Sequence, residues 1–240
     1  SLVTLFCHQL AFSDLILARG DTYNYFYPYW DVRNEALRSG QLPLWTSDIF
    51  MGAPLLANPQ LGTFYPPNWL TIPFAAPDAV RLSILAHLVW AAWGVFTLYC
   101  AAVDDNWQAA FLASVVFALS GYAGAHAEQI NQLQGLSWLP WLLYLFHKAL
   151  HSHRHWQWSI GLAIAFALQF FSGHTQTVFM SGIALGLMAV LSHTTPLAIG
   201  RALLRLAGIA LVAALLALPQ LLPTLELTGM SSRGGGFNAQ

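Results

Sequence analysis

Between residues 79 and 219 the chain passes through one apolar stretch after another, separated by short polar connectors. This pattern narrows the folds open to it. A run of about 20 apolar residues matches the hydrocarbon thickness of a bilayer. A segment in that environment must satisfy its own backbone hydrogen bonds, which makes it a helix. The runs cover 79–103, 107–125, 136–150, 156–171 and 178–191, with a last one ending at Pro219-Gln220. Charged residues make up 8 % of the chain, against about a quarter in soluble domains. So little charge cannot cover a water-facing surface. The net charge of -1 offers nothing to nucleic acid. Cys7 and Cys100 lie in apolar runs and read as small buried hydrophobes, not a disulfide framework.

Ahead of the six runs lies a segment of another kind. Residues 1–12 are apolar but too short to cross a bilayer and read as the outer half of a first span, with Ser13-Asp14 starting the exit into water. From Arg19 to Phe74 the sequence is rich in Tyr, Phe, Trp and Pro. Tyr and Trp favour the headgroup level of a membrane. Within this segment 31–39 fits a short helix closed by Gly40, with Val32, Ala36 and Leu37 on one side, as suits a helix lying in the interface. Pro43, Pro54, Pro59, Pro66, Pro67 and Pro73 argue against regular structure through the rest.

Orientation follows from charge. With the long loop outside, the connectors carrying Lys148, Arg154, Arg201 and Arg205 fall inside, as short inner loops favour Lys and Arg. Four polar groups then reach the same outer face. They are Asp21, the patch His126 to Asn131 with Glu128, the turn His174 to Gln176, and Arg233 ahead of three glycines. Ionisable groups at membrane depth are costly without a purpose. Each also has a plain structural explanation: Asp21 can cap a turn, His126 and Glu128 can be loop residues past a helix end, Thr175 or Thr177 can cap the next span, and the glycines after Arg233 can be a connector. As a functional group, Arg233 with free backbone N–H groups suits a phosphate. The histidines at 147–155 read poorly as a metal site: their spacing is irregular, no Cys or carboxylate joins them, and they fall on the opposite face. His8 and His87, inside spans, read as packed residues. No P-loop, G-x-S-x-G elbow or H-E-x-x-H motif is present.

Several stretches resemble a known family. GDTYNYFYPYW and SGQLPLWTSDIFMGAPLLANPQLGTFYPPNWL look like the N-terminal loop of YfhO-type bacterial membrane proteins. SGHTQT is close to that family's Gly-His-Pro-Gln turn, with Thr175 in place of proline, and LPQLLPTLELTGMSSRGG agrees with a later stretch. The family is similar to the GT-C superfamily of polytopic glycosyltransferases. The resemblance implies an all-α polytopic membrane protein of about seven transmembrane helices, with short interfacial helices in a long first outer loop. The chain would be the N-terminal part of one such domain: the end of the first span at 1–18, the outer loop at 19–78, six further spans over 79–222 and the start of another outer loop at 223–240, with the C-terminal part missing.

The same resemblance implies an enzyme of the bacterial cytoplasmic membrane, its first loop on the outer side. It would move a sugar from a polyprenyl-phosphate donor to a cell-envelope acceptor. The superfamily's first outer loop carries an acidic residue essential to transfer; Asp21 matches it best and Asp14 is the fallback. His126, Glu128 and Asn131 would bind sugar hydroxyls or the acceptor, and Gln60 falls in the Pro-Gln of the matching pattern. Arg233, with His174 and Gln176 as neighbours, would face the departing phosphate. A carboxylate can take the acceptor's hydroxyl proton, and positive groups stabilise the leaving phosphate. The tail would lie between spans among membrane lipids. A divalent metal on Asp21 and Glu128 suits the chemistry but is not required by the spacing. The alternative is a lipid or saccharide transporter without catalysis, which would want polar groups at mid-membrane and an internal repeat of spans. No clear repeat is visible.

Overall fold

The structure, a computed structural model, describes residues 2–13, 16–18, 20–49 and 51–230. The fold is built on α5 (Ala76–Ala102), a 27-residue helix with Pro in its first turn, where a missing N–H leaves no bond unmade. α5 packs along α6 (Trp107–Ala118) and, most extensively, along α8 (Ile130–His151). From α8 the chain goes up and down through α9 (His155–Phe171), α10 (Thr175–Leu191) and α11 (Pro196–Leu216). The connectors 152–154 and 192–195 therefore lie at one end of the bundle, and the turn Ser172 to His174 lies at the other.

Among the described residues, three segments are long and apolar enough to cross a membrane by length and composition: Ala76–Ala102, Trp107–Ala125 and Pro196–Leu216. α9 and α10 are apolar but 17 residues each, short of about 20. The architecture is that of an all-α polytopic membrane protein. The first apolar stretch appears as two short helices, α1 (Leu2–Phe6) and α2 (His8–Phe12).

Several boundaries differ from the sequence expectation, each for a physical reason. α8 starts at Ile130, well before the expected 136, because Asn131, Gln132 and Gln134 are inside the helix and buried with hydrogen-bond partners. These polar residues depress hydropathy without ending the helix. The stretch 107–125 is broken near Ser120, whose hydroxyl caps a short α7 (Gly121–Ala125) by accepting from the Ala123 N–H. Past Pro219 the chain does not open into a loop but continues as α12 (Leu218–Met230), with Pro223 inside it.

The long first loop is more regular than its prolines suggest. A wide helical turn, Thr22–Phe26, leads into α3 (Tyr27–Arg38), and a left-handed Gly40 closes it. Strands β1 (Trp45–Thr46) and β2 (Ala53–Pro54) pair antiparallel. Pro59 opens the 3-10 turn Pro59–Leu61, and Pro66 opens α4 (Pro66–Trp69). Proline at the first position of a helical turn is tolerated, so these residues start elements instead of preventing them.

The two larger apolar clusters among the described residues hold the assembly. Phe146, Leu162, Leu185 and Ile209 pack α8 to α11 together. Phe26, Trp30, Val80, Ile84, Ile130 and Leu133 seat α3 on α5 and α8. Among helices in lipid the gain is van der Waals contact, since lipid tails are as apolar as leucine. The loop is outside the spans, so burial of Phe26 and Trp30 also removes them from water, at roughly 1.5–3 kcal/mol per large side chain.

Candidate functional site

Asp21 is the residue just ahead of the Thr22–Phe26 turn, and its side chain makes no capping hydrogen bond. Its carboxylate is exposed and accepts from Gln129 Nε2 at 3.4 Å. The segment is held in place by backbone contacts instead. Thr22 Oγ1 donates to the Glu128 carbonyl at 2.8 Å. Gly20, at φ +49, lies directly on the Glu128 side chain, where a Cβ would meet Oε2 at 2.8 Å. Glycine there lets the loop approach the α7–α8 connector closely.

Gln60 arrives from another part of the loop. The Pro59–Leu61 turn sits against the α9–α10 turn at Gly173, which has φ +88. A Cβ on Gly173 would lie 2.0 Å from the Pro59 carbonyl oxygen, so only glycine admits this contact. Gly173 in turn accepts from Asn131 Nδ2 at 3.3 Å. Buried Arg33 fixes the far side of the turn: Nη1 donates to the Leu61 carbonyl at 2.5 Å, and Nε and Nη2 both donate to Asn34 Oδ1. Its guanidinium lies 4.1 Å over the Trp30 ring. Burial lowers its pKa to about 9, so it remains cationic at neutral pH.

These contacts bring Asp21, Gln60, Asn131 and His174 around one cavity of about 270 Å³, with Tyr25, Phe26 and Gln129 completing the lining. His174 is half-buried and caps α10, its Nδ1 accepting from the Thr177 N–H at 3.2 Å. That bond leaves Nε2–H as the donor of the neutral ring. Burial, and then the nearby His126, push the His174 pKa below its ordinary value. Asn58 Nδ2 donates to the Tyr25 hydroxyl at 2.5 Å. Burial is the main cause that pushes the Tyr25 pKa up to about 12, keeping the phenol protonated and able to donate.

The remaining sequence candidates fall differently. His126 stands beside the cavity lining, its Nδ1 on the Tyr122 carbonyl at 2.8 Å and its ring on the Tyr122 ring at 4.1 Å. Glu128 supports the Asp21 segment but does not line the cavity. Gln176 is exposed on the first turn of α10 and also lies outside the lining. Asp14 and Arg233 lie outside the described residues. Among the described residues no three His, Cys, Asp or Glu side chains gather as metal ligands, so Asp21 and Glu128 find no third ligand there.

Neither Tyr25 nor Gln129 stands out in the sequence. Tyr25 is four residues after Asp21, one helical turn on, but it reads as one more interfacial aromatic. Gln129 is inside a polar patch whose neighbours carry the more distinctive chemistry.

A second opening lies in the apolar part. A groove of about 600 Å³ runs between the 65–70 segment, α5, α8 and α9, walled by Tyr65, Pro67, Trp69, Leu70, Trp90 and Leu168. At its inner wall Tyr65 and His87 meet, with Tyr65 O–H and His87 Nε2 2.7 Å apart, while Trp138 Nε1 donates to the Tyr65 oxygen at 2.7 Å.

No curated protein and no solved structure matches this sequence. The bacterial membrane protein YfhO family matches residues 9–235, which takes in every residue lining the cavity and the groove. By that match over nearly its whole length, the chain belongs to the YfhO family of bacterial membrane proteins.

Proposed function

We propose that this chain belongs to a membrane-embedded glycosyltransferase of GT-C type that takes a sugar from a lipid-phosphate donor at the outer face of the cytoplasmic membrane. The observation that carries this reading is the convergence of Asp21, Gln60, Asn131 and His174, far apart in sequence, around a single cavity at one end of the bundle. Asp21 is an uncapped, accessible carboxylate there, and the groups around it are hydrogen-bonding side chains suited to sugar hydroxyls.

In this reaction the Asp21 carboxylate takes the proton from an acceptor hydroxyl as its oxygen attacks the anomeric carbon. The bond from that carbon to the lipid-phosphate oxygen breaks, and the phosphate leaves with the electron pair. The leaving phosphate needs donors; His174 Nε2–H and the Tyr25 hydroxyl serve at the cavity, with Arg233 from the following segment. Asn131, Gln60 and Gln129 orient the sugar, with His126, Glu128 and Gln176 as outer neighbours. The polyprenyl tail takes the apolar groove, and the acceptor is a component of the cell envelope.

The test uses full-length protein in nanodiscs with radiolabelled polyprenyl-phosphate sugars, with and without EDTA, comparing wild type and Asp21→Asn. Label should leave the lipid in wild type and slow by about 10²–10⁴-fold in the variant, the range for a general base. Lipid bound by both proteins and consumed by neither would transfer the site to a transporter of the same lipid.

A further inference from the structure

The end of the bundle opposite the cavity carries a second polar site. Arg201 and Arg205 are one turn apart on α11 and so share a face. Together with His193 from the α10–α11 connector they line a cavity of about 170 Å³, closed on its apolar side by Leu150, Ala198 and Ala202. No acidic side chain is in this lining. Arg205 is half-buried and spends one donor, Nη1, on the Ala149 carbonyl near the end of α8. Arg201 is exposed, and among the described residues no carboxylate pairs with it. The first turn of α11 adds the partial positive charge of a helix N-terminus.

We infer that this cavity binds a phosphate group, carried by an anionic lipid headgroup or free in solution. Two guanidiniums on one face match the paired oxygens of a phosphate, and the imidazole of His193 adds a donor. The apolar wall and the location beside the end of α8 and the α10–α11 connector put the site where headgroups lie. Basic pockets between helices at that level hold phosphate headgroups. The site is independent of Asp21 and its cavity, and the proposal does not depend on the transferase reading.

Native mass spectrometry of the full-length protein in mixed micelles of phosphatidylglycerol and phosphatidylcholine with identical acyl chains reads the lipid arm. Wild type should retain phosphatidylglycerol in preference, and Arg201→Gln should lower that retention about five-fold, the worth of one basic residue near a membrane surface. Arg201→Lys should keep most of it. His193→Gln is the second variant, and it should also lower retention if Arg201→Gln does not fold. The free-anion arm is a melting curve in detergent with inorganic phosphate. A rise in melting temperature for wild type but not for Arg201→Gln, without phosphatidylglycerol preference, assigns the site to free phosphate. Equal retention of both lipids together with no phosphate-dependent shift overturns the proposal.

Discussion

Asn131 holds the turn that carries His174: its Nδ2 donates to the Gly173 carbonyl at 3.3 Å, across 42 residues of sequence. Gly173 also takes the Pro59 carbonyl against its Cα. One glycine thus joins the first turn of α8, the α9–α10 turn and the long first loop, and these are the pieces that contribute Asn131, His174 and Gln60 to the cavity. The loop is therefore docked on the bundle through backbone as much as through side chains.

Gly173→Ala is expected to undo that docking. The added Cβ would meet a backbone carbonyl, which cannot swing aside as a flexible side chain can, and φ +88 is strained for any residue but glycine. Thermal unfolding in detergent should show a loss of about 2 kcal/mol. Protease cleavage within the 51–62 segment should speed up at the same time. Unchanged cleavage with lowered stability would mean that the loop does not depend on this contact.

Arg33→Lys tests the other side of the same loop. The guanidinium makes three donor contacts, two of them to one oxygen, and lies over the Trp30 ring. An ammonium cannot reproduce that fork or the stacking. The Leu61 carbonyl or Asn34 Oδ1 then loses a charged partner in a buried place, at about 2 kcal/mol. A Lys variant as stable as wild type, measured by the melting midpoint, would contradict this.

The apolar helices and the polar groups at one end of the bundle are legible in the sequence because both depend on local composition. Asp21, Asn131 and His174 stand out as polar residues at the ends of apolar runs. What the sequence hides is where polar residues are inside helices. Asn131, Gln132 and Gln134 lower the hydropathy that marks the start of α8, yet each is satisfied by a partner from elsewhere in the chain. Tyr25 is hidden differently. Its role depends on the wide turn at Thr22–Phe26 and on Asn58, neither of which leaves a periodic signal. The loop's prolines mislead because a proline at the first position of a turn permits the turn while breaking anything that precedes it.

His174 should make stability depend on pH. Its folded pKa is depressed below 6.5, so between that value and the folded pKa the unfolded chain binds a proton that the folded chain refuses. Stability contributed by neutral His174 is present above about pH 6.5 and declines as pH falls through the window below. Protonation at Nδ1 also removes the acceptor for the Thr177 N–H at the start of α10. His174→Asn keeps a good cap and has no such proton to take up. The difference in melting temperature between wild type and this variant should shift against wild type as pH is lowered from 7 to 5, a window that spans the ordinary histidine pKa. A constant difference would sink the assignment.

The last prediction concerns the buried polar seam between the loop and the groove. Gln134 Nε2 donates to Asn68 Oδ1 at 2.7 Å and to Ser83 Oγ at 2.9 Å. Ser83 also accepts, through its carbonyl, from His87 Nδ1 at 2.7 Å, which makes Nε2 the acceptor for the Tyr65 hydroxyl. Tyr65→Phe leaves Trp138 Nε1 and His87 Nε2 without that partner, and Gln134→Leu strips Asn68 and Ser83. Each change alone should lower stability by about 1–3 kcal/mol, the range for a buried group left unsatisfied. Because the two residues bond to the same helix through Ser83 and His87, their effects should not add. A double-mutant cycle on melting free energies is expected to return a coupling of at least about 0.5 kcal/mol. Strict additivity would divide the seam into two separate networks, one belonging to the loop and one to the groove.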